Sequence, residues 1–243
     1  MKLKILPSNI NHSWTLYDVA TKYPPASWEA VFENSKNELK DISDILEEDR
    51  PNGRRLPNNE DLFKAFWLTP LPKVKVVILG QDPYPTLLKD GRPQAMGLCF
   101  SVPKGAPIPS SLQNIFKELK NTIPTFNKPS HGDLTSWALQ GILLLNACLA
   151  VRQGEPDSFK NICEGFIKKV ILAIIDTNPN CIFVLWGKNA QRAKKFIGQR
   201  GIVLEAAHPS GLSASRGFYN CNHYNKINEI LTQQGKTPID WNL

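Results

Sequence analysis

At 243 residues, 42% of them hydrophobic, the chain is long enough for one full domain with a substantial core or for two small ones, and no apolar run approaches the ~20 residues of a membrane span. Its formal net charge of +7 fits an ordinary solubilising surface and also leans towards a polyanionic partner, nucleic acid ahead of membrane because no basic amphipathic helix stands out. Five cysteines without a Cys-x-x-Cys pair, and four histidines (His12, His131, His208, His223) without i, i+4 spacing, exclude a disulfide framework, a zinc ribbon and an iron–sulfur cluster, and leave no metal or other cofactor to expect.

Met1-Lys2-Leu3-Lys4 precedes no long apolar stretch, so no secretory signal or Arg-rich transit peptide is expected and the protein reads as cytoplasmic. From Ser27, read as an N-cap, Trp28, Val31, Phe32, Ser35, Leu39, Ile42 and Leu46 follow helical spacing. A loop by its Pro and Gly content follows over 50–57, then a short helix carrying Leu62, Phe63, Phe66 and Trp67. Strands are predicted at 74–79, 142–145, 181–186 and 202–206. Helical patterns follow them: Leu112/Ile115/Phe116/Leu119, then Ile162/Phe166/Val170/Ile171/Ile174, then 190–196, then Tyr224/Ile227/Ile230/Leu231. This alternation predicts an α/β fold: a single domain over 1–243 with a central four-stranded parallel twisted sheet, flanked by helices on both faces, and a helical lead-in over 1–73 packed on that core.

Parallel strands share one carboxyl edge, where open α/β proteins place their chemistry. The first strand stops at Gly80-Gln81-Asp82-Pro83-Tyr84-Pro85, where glycine and two prolines hold a carboxylate in a stiff turn. Asn146 follows the second strand, Gly187-Lys188 the third and His208-Pro209-Ser210-Gly211-Leu212-Ser213 the fourth. Each has a plain alternative: an Asx turn at Asp82, a turn cap at Asn146, a core histidine at His208. Their convergence on one edge favours a site.

These segments, with Gly97-Leu98-Cys99-Phe100-Ser101-Val102, Leu144-Leu145-Asn146, Leu185-Trp186-Gly187, Ser111-Leu112-Gln113-Asn114-Ile115-Phe116, Arg216-Gly217-Phe218 and Pro238-Ile239-Asp240-Trp241, closely resemble the family 1 uracil-DNA glycosylases from about Trp28 onwards. The resemblance implies a monofunctional DNA repair enzyme, working as a monomer, that flips deoxyuridine out of DNA and hydrolyses its N-glycosidic bond, the first step of base excision repair. It implies catalytic roles for Asp82, which orients water and stabilises the cationic sugar, and for His208, which donates to uracil O2. Base recognition falls to Asn146 at O4 and N3–H, Tyr84 against a thymine methyl, Phe100 by stacking, and Gln81 largely through its backbone. Leu212 becomes the wedge in the base stack, and Ser111, Gly187, Ser210 and Ser213 the phosphate grips. Implied partners are uracil-containing single- or double-stranded DNA, with replication or repair proteins and protein inhibitors of the family as further candidates, and no membrane.

Pro85, Met96, Ser110 and Gly211 depart from the commonest family pattern, in which His stands at the first two positions and Pro at the last two; Pro85 occurs in a bacterial branch. Gly211 is expected to loosen the wedge loop. Two rival readings are a DNA-binding scaffold that has lost catalysis, which the joint presence of Asp82, Asn146 and His208 opposes, and an unrelated α/β hydrolase, for which no Gly-x-Ser-x-Gly elbow exists.

Overall fold

The computed structural model of the chain describes residues 10–11 and 13–243; the N-terminal residues read for a signal, and His12, lie outside the described residues. Helix α1 (Leu16–Lys22) opens on a capping box: the Thr15 hydroxyl accepts the Asp18 N–H, and the Asp18 carboxylate accepts the Thr15 N–H. The long helix expected from a Ser27 cap is instead broken. A 3-10 turn (Ala26–Trp28) leads into α2 (Glu29–Asn34), and α3 (Lys36–Glu48) begins after Ser35. Ser27 caps no helix; its hydroxyl accepts the Leu71 N–H at 3.0 Å. Periodicity hid the break because Val31, Phe32, Leu39, Ile42 and Leu46 are buried on both sides of it.

Strand β1 (Arg55–Leu56) and helix α4 (Lys64–Leu68) follow. Phe32 packs edge-on against Phe63, Phe66 and Phe166, so the N-terminal helices share one apolar core with the later chain.

Strands and helices then alternate: β2 (Val76–Gly80), α5 (Ser110–Thr122), α6 (Thr135–Leu139), β3 (Ile142–Asn146), β4 (Val151–Arg152), α7 (Glu164–Thr177), β5 (Ile182–Trp186), α8 (Lys188–Gln191), α9 (Lys194–Ile197), β6 (Ile202–Ala206) and α10 (His223–Gln233). One four-stranded parallel sheet has the order β3-β2-β5-β6. Every residue of β2 and β5 is buried, as expected of continuous apolar runs covered on both faces. The first strand starts two residues later than predicted and takes in Gly80, which pairs with Asn146. The helix read over 190–196 is two single turns, α8 and α9. The antiparallel pair β1–β4, two residues on each side, is too short to leave a periodic signal.

After β3 the chain crosses to the far side of β2 to form β5, so the order reverses beside β2. A crevice opens at the carboxyl ends of strands at such a reversal. Among the described residues no helix is long and apolar enough to cross a membrane, and no cluster of three or more His, Cys, Asp or Glu could hold a metal ion. All five cysteines are free.

Candidate active site

The last rung of the β2–β3 pairing, Gly80 opposite Asn146, sets the floor of the crevice. A Cβ at Gly80 would stand 2.4 Å from Asn146 Oδ1 and 2.7 Å from Cys99 Cβ, so glycine alone leaves room for the carboxamide to lie across the strand end. Pairing continues past the strands: Ala147 N–H to Gly80 O at 3.0 Å, and Cys148 N–H to Gln81 O at 2.9 Å. The turn bearing Asp82 is thereby pinned from one side. The Asn146 carboxamide has no hydrogen-bond partner among the described residues, an arrangement a ligand would complete.

Asp82 is half-buried, and burial pushes its carboxyl above the usual carboxylate value. The Asp157 N–H, 2.9 Å from Asp82 Oδ2, pulls the other way, while the Asp157 charge adds to the rise. Phe100 sits at φ 62°, a conformation that costs a bulky residue strain and that clusters at functional sites. Its carbonyl accepts the Tyr84 hydroxyl at 3.2 Å, and its ring lies 5.7 Å from that of Trp186 and 5.8 Å from that of His208. Burial raises the Tyr84 phenol, which stays neutral.

His208 follows β6 and rests against Gly187, where a Cβ would come within 2.9 Å of His208 Cβ. Its Nδ1 accepts the Ser210 N–H at 3.1 Å, and burial lowers its pKa. A neutral ring with the proton on Nε2 results.

One cavity of about 200 Å³ is lined by Gln81, Asp82, Tyr84, Phe100, Ser111, Asn146 and His208, and by Pro85 and Met96. It is smaller than the roughly 300–1,000 Å³ of drug-sized pockets and suits a single ring. Gly187 lines a neighbouring recess with Lys188, Gln81 and His208. Ser210, Leu212 and Ser213 line neither; they form the loop beyond His208. That loop is closed by Ser210 Oγ to Ser213 Oγ at 2.8 Å and by Ser213 Oγ donating to His208 O at 2.8 Å. Leu212 stands 87% exposed at its tip, with no partner to repay that exposure in the isolated protein.

Three residues without an assigned role in the sequence, Asn114 within a quoted segment and Asp157 and Asn189 outside any, also shape the crevice. Asn114 donates to Pro209 O at 2.8 Å and accepts the Tyr219 hydroxyl at 2.7 Å, which anchors the base of the Leu212 loop to α5. Asp157 and Asn189 hold the Gln81 side chain, each at 2.6 Å. Loop polar residues of this kind carry no periodicity, and only the fold shows what they meet.

A carboxylate, a free carboxamide and a neutral imidazole N–H around an aromatic wall can bind a small planar ring by its edge and stabilise charge separating across it. Residues 66–232 match the family model described as "Uracil DNA glycosylase superfamily". A uracil-DNA glycosylase of Yersinia pseudotuberculosis is 46% identical over 223 residues, 90% of this chain and 96% of the relative. The crystal structure of mimivirus uracil-DNA glycosylase superposes with a TM-score of 0.83 at 32% identity, covering 90% of this chain and 87% of the other. A variant of that viral protein in complex with UGI gives a TM-score of 0.84, also at 32% identity, over 89% and 88% of the two chains.

Proposed function

The chain belongs to the uracil DNA glycosylase superfamily, and on that premise we propose that the cavity at the ends of β2, β3 and β6 is where it breaks the N-glycosidic bond of deoxyuridine. The enzyme releases uracil from DNA and leaves an abasic site, the opening step of base excision repair. A base within a duplex must be extruded first, at a cost of a few kcal/mol in stacking and pairing.

In the extruded state, water attacks C1′ of the sugar while the bond to N1 breaks and its electron pair leaves with uracil. Asp82 orients that water and, as an anion, stabilises the positive charge on the sugar. His208 gives its Nε2–H to uracil O2 as negative charge collects there; what supports this is the Ser210 bond to Nδ1. Asn146 donates to O4 and accepts from N3–H, whereas cytosine presents the opposite pattern and would strand buried polar groups. Tyr84 leaves no room for a methyl at C5, Phe100 stacks on the base, and Gln81 contributes mainly backbone atoms. Leu212 fills the emptied stack, and Ser111, Gly187, Ser210 and Ser213 hold phosphates.

Uracil-containing DNA, single- or double-stranded, is the substrate. Replication or repair proteins and UGI, which binds a variant of the mimivirus relative, are proposed partners. The same reading takes 1–243 as one domain with 1–73 its helical lead-in, acting as a monomer in the cytoplasm.

The observation that carries the assignment is a single recess lined at once by Asp82, Asn146 and His208. Matched oligonucleotides carrying U, T or C, incubated with the parent and with Asn146→Asp, test it. The parent should release base from U alone, and Asn146→Asp should lose that activity. Release of thymine by the parent would contradict the role of Tyr84, and no release of uracil would overturn the assignment.

A further inference from the structure

We propose that Asp157 is a positioning residue for Asp82, the middle link of a clamp that ties three loops together at the back of the base cavity. The proposal rests on the role assigned above to Asp82.

Asp157 lies in the segment between β4 and α7 with φ 61°, in the left-handed region. There its N–H reaches Asp82 Oδ2 at 2.9 Å, while its own Oδ1 accepts the Gln81 Nε2–H at 2.6 Å. Gln81 Oε1 in turn accepts the Asn189 Nδ2–H at 2.6 Å, and Asn189 belongs to α8, directly after the Gly187 turn. The chain of bonds therefore runs from the β4–α7 loop through the turn after β2 to the turn after β5. Gln81 sits where three hollows meet: the base cavity, the recess under Gly187, and a larger cavity of about 320 Å³ behind Asp82.

An Asp carboxylate has a broad, two-fold χ2 preference and does not fix its own plane. The bond from Asp157 engages Oδ2 and, together with the backbone N–H of Asp82 itself, restrains that plane for the attacking water. The backbone turn by itself would be served better by glycine, which adopts positive φ without a steric cost. What aspartate adds is the acceptor for Gln81, and through it a link to the loop beside His208.

The charged and titratable groups around Asp82 are Asp157 and Lys160 from the same loop, Cys148 after β3, His208 across the base cavity, and Glu164, Arg192 and Lys195 lining the larger cavity behind it. Lys160 Nζ stands 3.9 Å from the Asp157 carboxylate and offsets part of its charge.

The test compares the parent, Asp157→Gly and Asp157→Asn by kcat, KM and the pH profile of kcat on a uracil oligonucleotide, with thermal melting alongside. Asp157→Gly keeps the turn and its N–H but frees Gln81; its kcat should fall about ten-fold or more while KM holds within about two-fold and melting is unchanged. Asp157→Asn keeps an acceptor for Gln81, so kcat should return close to the parent value. Its acid limb should move to lower pH, because a like charge beside Asp82 is gone. Parental kcat in Asp157→Gly would overturn the proposal, as would kcat and melting temperature falling together in both variants. A parent that releases no uracil would sink the functional assignment and this inference with it, whereas an active parent with an equally active Asp157→Gly sinks this inference alone.

Discussion

His208 Nδ1 accepts the backbone N–H of Ser210 at 3.1 Å, and that bond decides what the ring offers at its other nitrogen. An imidazole that accepts at Nδ1 carries its proton on Nε2. Protonating the ring would set an N–H on Nδ1 against the Ser210 N–H and break the contact. Burial also disfavours the cation. The loop therefore presents a neutral N–H donor, suited to charge that appears on a departing base only as the bond breaks.

The dependence of kcat on pH follows from signs that agree. Asp82 acts as an anion, and burial raises its pKa above the ordinary 3.8, so function is lost as pH falls through that raised value. His208 acts as the neutral ring and is lost as pH falls through a pKa lowered from 6.5. Acidification thus removes both groups and alkalinisation removes neither. The expected profile rises on the acid side and runs flat from about pH 7 to about pH 9. A descending limb within that plateau, measured by single-turnover uracil release, would contradict the two assignments.

Gly80→Ala tests how the carboxamide is seated. The added Cβ would stand 2.4 Å from Asn146 Oδ1 and 2.7 Å from Cys99 Cβ, so the strand end or the amide must shift. Overpacking of this kind costs about 1–3 kcal/mol of stability. Displacing a group that pairs with the base by about 1 Å costs on the order of a hundred-fold in rate. We expect kcat/KM on uracil oligonucleotides to fall by about that factor in a variant that still unfolds cooperatively. Parental kcat/KM would show that Asn146 does not need this placement.

Leu212→Ala separates binding from folding. The side chain is 87% exposed, so its removal should leave the melting temperature within about 1 °C of the parent. Its proposed work is to fill a base stack, which an unpaired strand lacks. Activity on duplex DNA should drop by about ten-fold and activity on single-stranded DNA by clearly less. Equal losses on both substrates would remove the wedge role.

The sheet and the ends of its strands were legible in the sequence because buried parallel strands are continuous apolar runs and because Gly80, Pro83 and Pro85 end one of them abruptly. Once the strands were known to be parallel, Asp82, Asn146, Gly187 and His208 had to share an edge. What stayed hidden depends on contacts rather than patterns. Ser35 splits α2 from α3 while the apolar stripe continues across the break. Asp157, Asn189 and Asn114 are polar residues whose partners lie 75 to 108 positions away. The Ser210 bond that fixes the His208 tautomer is local, yet it depends on a backbone turn that no residue type announces.

His223 gives a stability prediction independent of the active site. It is buried at the start of α10, where its Nδ1 accepts the Trp186 indole N–H at 3.0 Å. Burial, with Lys226 adding to it, lowers its pKa to about 4 from 6.5. The unfolded chain therefore binds a proton that the folded chain refuses. Stability from this group is full above pH 6.5 and is lost as pH falls towards about 4, a contribution of roughly 3 kcal/mol at most. His223→Gln keeps an acceptor for Trp186 and removes the titration. The melting temperature of the parent should fall more steeply between pH 6.5 and 4 than that of the variant, so that the parent loses ground to the variant towards the acid end. Parallel curves across that window would mean that His223 takes up its proton equally well in both states.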